Sequence, residues 1–159
     1  LKNLSILIHC AGVSQASLLH TTSQQDIEEI ITTNLTGPIM LTQSLIRPLI
    51  KNKPSSVTFL SSVLGLKGLK GTSVYATSKS GIQGFSRAMA RELGSKHIRF
   101  NCVSPGLVKS TSMGEGFHFD TALDKDSVSI DEVVSGVLLM VENDGVTGQN
   151  LVIDNGYIC

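Results

Sequence analysis

Short apolar runs alternate along this chain with longer stretches in which apolar residues return every three or four positions. Leu4-Ser5-Ile6-Leu7-Ile8-His9 has the form of a buried strand, closed by Ala11-Gly12. From about residue 23 to 52, Ile27, Ile30, Ile31, Leu35, Ile39, Leu41, Leu45, Leu49 and Ile50 keep helical spacing. Ser23 with Asp26 three residues on resembles a capping box, and Gly37-Pro38 predicts a kink inside the helix. After the break at Pro54-Ser55-Ser56, residues 57–60 predict a second strand ending in Ser61-Ser62. A loop with glycines at 65, 68 and 71 leads to a second long helix over 72–93, with Gly94 as its stop. Residues 98–103 predict a third strand closed by Pro105-Gly106, 130–142 a last helix and 150–154 a final strand. The polar, irregular stretch 109–129, with glycines at 114 and 116, predicts a mobile loop or lid. Strands alternating with helices predict a parallel α/β sheet, and no repeat or linker divides residues 1–159.

Composition narrows what such a sheet could serve. Among 159 residues, 13 basic and 13 acidic side chains cancel, so the broad positive field of a nucleic-acid binder is excluded. Hydrophobic content of 41% with 16% charged residues excludes disorder, and no apolar run is long enough to predict membrane insertion. Cys10, Cys102 and Cys159 are scattered, as are His9, His20, His97 and His118, so neither a disulfide scaffold nor a metal site is expected. The first residue is Leu1 rather than methionine, which leads us to expect a processed chain or a piece of a longer one.

Three positions carry the candidate chemistry. Tyr75 and Lys79 are four apart, which puts both side chains on one helical face. A neighbouring ammonium favours a phenolate, so Lys79 is expected to lower the Tyr75 pKa into a usable range. Ser62 ends a predicted buried strand, where open α/β sheets bind ligands, and its hydroxyl could hydrogen-bond a substrate carbonyl. Asn34, three residues before Gly37, is a poor helix-interior choice unless it has a polar task.

Together with their surroundings these residues resemble the short-chain dehydrogenase/reductase family over nearly the whole chain. His9-Cys10-Ala11-Gly12 resembles that family's Asn-Asn-Ala-Gly segment, and Asn34-Leu-Thr-Gly37 its catalytic asparagine segment. Ser62 stands 13 residues before Tyr75, Tyr75 to Lys79 is Tyr-x-x-x-Lys, and 99–106 resembles the segment that closes over nicotinamide. Thr147-Gly148 and Asp154-Asn155-Gly156 resemble its terminal strand motif. The resemblance implies a Rossmann-like doubly wound parallel sheet, with Tyr75 as general acid, Ser62 polarising the substrate oxygen and Asn34 holding a relay water. It implies that Lys79, with Tyr75, binds the nicotinamide ribose. Cys10, Ala11 and Gly12 would line the adenosine side, with Pro105, Gly106, Val108 and Ser110 near the nicotinamide. Within the family the likeness is to 3-oxoacyl-(acyl-carrier-protein) reductases, the fungal mitochondrial members in particular. That implies NADP(H), with NAD(H) as the alternative, and mitochondrial residence, with cytoplasm as the alternative. It also implies an acyl-carrier-linked substrate and a homo-oligomer built through the two long helices. Lys53 and Lys96 would face the acidic carrier, with Arg47 and Lys51 near them in sequence.

The family's glycine-rich fingerprint follows no strand here, and the Gly65-Gly68-Gly71 loop lies on the substrate side. The chain therefore reads as the later part of such a domain, with about four strands and the first three absent. The strand at 4–9 is then expected to be an exposed apolar edge, and the chain alone to bind NADPH weakly or not at all. Two alternatives stand beside the carrier-linked reduction: a family member acting on another ketone or alcohol, and a catalytically silent subunit that only associates with complete partners.

Overall fold

Ser23 does what its spacing predicts: its side chain accepts the Asp26 N–H at 3.0 Å and starts helix α1, Gln24–Ile31. The computed structural model describes residues 3–111, 113 and 118–159, so the glycines at 114 and 116 lie outside the described residues. The expected kink is present but one turn earlier than Gly37-Pro38, as a π-helical turn, Thr32–Thr36, joining α1 to α2, Gly37–Lys51. Proline supplies no N–H and its ring crowds the carbonyl four residues back, so the strain falls on the preceding turn. The remaining elements, in chain order, are β2 Ser55–Leu60, α3 Leu64–Lys67, α4 Ser73–Leu93, β3 Ile98–Pro105, α5 Ile130–Glu142 and β4 Asn150–Ile153, with β1 at Ile6–His9. Helix α5 opens on a complete capping box between Ser129 and Glu132. Helix α4 stops at Leu93 with Gly94 as its C-cap, as expected, but Gly94 is right-handed. It continues into a 3-10 turn, and His97 takes the positive φ of 58° that reverses the chain into β3.

Among the described residues the four strands form one parallel sheet in the order β1-β2-β3-β4. Side-chain alternation then sets two cores. Val57, Phe59, Ile98, Phe100 and Cys102 face α2 and α4, packing with Leu49, Ile82 and Met89. Leu60, Val103, Leu151 and Ile153 face α5 through Val137 and Met140. Helices on both faces make the sheet doubly wound. Because the strand order runs straight across, placing α5 on the opposite face gives β3–α5–β4 the opposite hand to the two connections before it. Arg99 ties that crossover down, its guanidinium donating to the carbonyls of Met140 and Val141 at the C-terminus of α5.

Helix α5 packs across β2, β3 and β4 but not over β1. Ile6 and Ile8 are therefore 49% and 39% exposed on that face, and the expected apolar edge is present. The other face of β1 is packed. His9 stacks on Phe59 with ring centroids 4.7 Å apart, and its Nε2 lies 3.0 Å from the buried Thr42 hydroxyl. Burial holds this imidazole down to about 4, against 6.5 for a free histidine. An unfolded chain thus takes up a proton that the folded one refuses between those two values. Stability should fall by about 1–2 kcal/mol as pH drops from 6.5 toward 4, allowing for partial solvent screening. Urea unfolding at pH 7 and pH 4.5 reads this out, and His9→Asn should remove that part of the slope. An unchanged slope in the variant would show that another group carries it.

Candidate active site

Parallel strands end together, so Cys10, Ser62 and Pro105 meet at the C-terminal edge of the sheet. There they help to line a cavity of about 600 Å3. Helix α4 runs back against the strands, which brings its first turn to the same edge. Tyr75 is its third residue, and Lys79 follows one turn later on the inward face. The expected grouping of Ser62, Tyr75 and Lys79 in one cavity is thus present. The Ser62 oxygen accepts the Leu64 N–H at 3.1 Å, which leaves its own hydrogen free to donate into the cavity. That oxygen is held because Ser62 leads directly into α3. There Gly65 lies against the α4 backbone so closely that a Cβ would stand 2.9 Å from the Lys79 carbonyl carbon.

The electrostatics differ from expectation at Tyr75. Burial raises the phenol above its usual range, and hydrogen bonding with the Ser62 side chain offsets only part of this. Lys79 does not bring it down, because the ammonium is itself buried and is lowered to about 8. Its Nζ donates to the Leu60 carbonyl at 2.9 Å and stands 5.7 Å from the centre of the tyrosine ring. Near neutral pH the arrangement is therefore a protonated phenol beside a serine donor. That pair can give a hydrogen bond and then a proton to an oxygen gaining negative charge.

Asn34 is buried in the π-helical turn, and its side chain is committed to the fold. Its Oδ1 accepts the Val13 N–H at 2.9 Å, while its Nδ2 donates to the Val13 carbonyl and to the Ser78 hydroxyl. This anchors the Gly12-Val13 backbone beside Lys79. A Cβ on Gly12 would lie 3.3 Å from Asn34 Oδ1 and 3.4 Å from Lys79 Nζ, so glycine keeps that space open. With Leu60 as the only hydrogen-bond partner of Nζ among the described residues, the hollow suits the hydroxyls of a ribose. Cys10, Gly12, Pro105, Gly106 and Val108 also line the cavity, whereas Ala11 and Ser110 do not. Thr111 and Met113 stand where Ser110 was expected, because the turn after Val108 carries the Ser110 side chain outward.

Lys53 and Lys96 are exposed and neighbours, since the Ser55 N–H donates to the His97 carbonyl at 3.0 Å. They precede β2 and β3, at the opposite end of the sheet and roughly 20 Å of strand from the cavity. The structure does not bring them to the cavity mouth. The segment expected as a free lid is tied to the body where described. Phe119 stacks on Tyr157 at 4.1 Å, Val128 N–H donates to the Leu107 carbonyl, and Asn155 Nδ2 donates to the Ser127 carbonyl at 3.0 Å. Among the described residues no group of three or more metal-ligating side chains is assembled, and no helix is long and apolar enough to cross a membrane.

A buried polar layer behind the site escaped the sequence reading. Gln83 Nε2 donates to the Ser61 hydroxyl at 2.8 Å, Ser61 donates to the Lys79 carbonyl, and Ser104 donates to Asn150. The signal was present for Gln83. It follows Lys79 by four residues and so continues the polar stripe of the inward helix face.

The family profile described as short chain dehydrogenase matches residues 1–120. A 3-oxoacyl-(acyl-carrier-protein) reductase of Chlamydia trachomatis is 32% identical over 164 residues, covering 98% of this chain and 66% of that protein. The human protein of the same name is 34% identical over 160 residues, with 98% and 67% covered. Carbonyl reductase family member 4 of Xenopus laevis is 31% identical over 166 residues, with 98% and 67% covered. Among solved structures, a 4-hydroxyisoleucine dehydrogenase complexed with NADH and succinate superposes with a TM-score of 0.86 at 27% identity. It covers 97% of this chain and 68% of that one. The chain spans about two thirds of the length of the curated relatives it matches.

Proposed function

The chain belongs to the short-chain dehydrogenase family, and on that premise we propose that it reduces the 3-oxo group of an acyl thioester on acyl carrier protein to the 3-hydroxyacyl form, with NADPH as reductant. The observation that carries the proposal is the Ser62–Tyr75 hydroxyl pair in a largely apolar cavity. Leu64, Leu107, Phe119, Val133 and Val137 line it, and among its described lining residues Lys79 alone is an ammonium near neutral pH. Such walls favour a neutral acyl chain over a free amino acid, whose carboxylate and ammonium would need partners.

In this reading Ser62 donates to the 3-oxo oxygen and fixes the carbonyl, while Tyr75 delivers the proton to the same oxygen as it becomes an alkoxide. The nicotinamide cofactor supplies the hydride. Lys79, with Tyr75, holds the nicotinamide ribose, and Gly12 leaves it room. Pro38 has no N–H to offer the Asn34 carbonyl four residues back, so that backbone oxygen, rather than the committed amide, is the group to hold a relay water. The cradle for the adenosine side is Cys10 and Gly12. Residues 1–159 act here as the catalytic and substrate-loop part of one Rossmann-like domain. The same reading carries mitochondrial residence and a homotetramer that pairs α2 and α4 with other copies. Met40 and Leu41 of α2, 66% and 48% exposed, support that pairing.

The test is kinetic. The protein carrying this chain is given a 3-oxoacyl-carrier thioester or a simple cyclic ketone, with NADPH or NADH, and loss of reduced nicotinamide absorbance is followed. The expected result is a kcat/KM for the thioester at least about tenfold above that for the ketone, with NADPH preferred. Equal values for the two substrates would transfer the reading to another ketone. No oxidation with either substrate would remove the reductase reading altogether.

A further inference from the structure

Helix α4 carries Tyr75 and Lys79, yet it begins without a cap of its own. The residue before it, Thr72, makes no side-chain bond to the first turn. Its hydroxyl is turned back, donating to the Leu69 carbonyl at 2.8 Å and accepting the Leu69 N–H at 3.2 Å. The first N–H groups of a helix have no partner inside it, and leaving them unsatisfied in a buried setting is costly.

The missing cap arrives from a distant part of the chain. Gln15, 5% exposed in the loop after β1, accepts the N–H of Val74 at 2.9 Å and of Tyr75 at 3.2 Å through the same Oε1. These are the second and third residues of the helix, the two donors that an adjacent capping side chain would take. The other end of the Gln15 amide is equally engaged, its Nε2 donating to the Ser17 carbonyl and the Thr22 hydroxyl, both at 3.0 Å. Ser17 N–H donates in turn to the Gly71 carbonyl at 3.1 Å, so the whole loop is laced to the start of α4. Gln15 is also three residues from Gly12, which faces Asn34 and Lys79.

We infer that Gln15 is a positioning residue, a remote N-cap that fixes the first turn of α4 and so sets the Tyr75 hydroxyl against Ser62. Gln15 lines the same cavity, but both ends of its amide are engaged within the chain, so it acts through the Val74 and Tyr75 backbone. The inference rests on the reductase reading for its effect on rate and on geometry alone for the cap. Freed of the cap, the turn that begins with Ser73 shifts while the rest of the helix, held by Ile82 and Met89 in the core, stays in place.

Two measurements on the protein carrying this chain separate these parts, using Gln15→Met, which loses both ends of the amide, and Gln15→Glu, which keeps an acceptor. Amide hydrogen exchange should show Val74 and Tyr75 deprotected at least about tenfold in Gln15→Met, and less so in Gln15→Glu. Turnover should follow the same order. For Gln15→Met kcat should fall about tenfold to a hundredfold while KM changes less than about threefold, because a misplaced proton donor costs rate rather than binding. A merely structural role would lower the melting temperature without that order or that split. Unchanged exchange at Val74 and Tyr75 in Gln15→Met would overturn the cap. Lost protection with unchanged kcat would overturn the positioning role. If wild-type protein turns nothing over, the reductase reading falls and the positioning role falls with it, while the exchange arm still decides the cap.

Discussion

Tyr75→Phe should lower the rate of carbonyl reduction by about a thousandfold, within the hundredfold to ten-thousandfold range of a lost general acid. The substitution removes one oxygen and leaves the ring, which packs with Val63, Leu64, Leu107 and Phe119. The melting temperature should therefore stay within a few degrees, and the loss cannot be ascribed to unfolding. The direction of the Tyr75 shift sharpens the expectation. A phenol pushed above its ordinary value remains protonated through neutral and mildly alkaline pH, which is the form a reduction consumes. Reduction by the wild-type protein should thus show no loss attributable to this group below pH ~10, the value of a free phenol. Steady-state kinetics of both proteins between pH 6 and 9 make the comparison. Retention of more than about a tenth of the wild-type rate by the variant would mean that another group delivers the proton.

That Tyr75 and Lys79 share a face with Ser62 beside them was readable from spacing, because helical periodicity and strand ends are local properties. The Ser23 cap and the span of α5 from residue 130 were local in the same sense. Other features depend on what the chain meets far away. The π-helical turn precedes Pro38 rather than surrounding it, because the backbone relieves a clash where the carbonyls are. His97 rather than Gly94 takes the left-handed conformation, since the turn is set by the entry of the chain into β3. Ser110 follows the stretch that resembles the nicotinamide-closing segment, and one turn of backbone decides which of Val108, Ser110 and Thr111 faces the cavity. The sign of the Tyr75 shift was misjudged because spacing reports a neighbouring ammonium and says nothing of the burial that outweighs it. Gln15 was invisible for a related reason. Its partners lie some sixty residues on, and a glutamine in a loop carries no local signal of capping a distant helix.

Lys79→Met separates what this lysine does for the fold from what it does for the chemistry, and the two should move in opposite directions. Burial lowers the ammonium from 10.5 to about 8, so at pH 7 the folded protein keeps a charge that its surroundings oppose. Taken alone, that opposition costs about 3 kcal/mol. Methionine removes the charge but also the hydrogen bond to the Leu60 carbonyl, which returns about 1–2 kcal/mol. The net expectation is a stabler protein by about 1–2 kcal/mol, or a melting temperature higher by about 2–8 °C. The sign of the pH dependence follows from the same values. Between about 8 and 10.5 the unfolded chain holds a proton that the folded wild type has released, so wild-type stability rises across that window. The advantage of the variant should therefore shrink as pH rises past 8, vanish at about pH 9 and reverse by 10.5, where only the lost Leu60 hydrogen bond remains. Nicotinamide dinucleotide should reverse the ranking, because a ligand raises the melting temperature only of a protein that binds it. On the proposed reading the ribose loses its buried cation in the variant, and reduction should fall at least about a hundredfold. Melting curves of the protein carrying this chain at pH 7 and pH 10, each with and without NADPH, test both effects. A variant less stable than wild type at pH 7 without ligand would mean that the Leu60 hydrogen bond outweighs the buried charge. A variant stabilised by NADPH as strongly as wild type would mean that the ribose is held elsewhere, and Lys79 would then lose its place in the cofactor site.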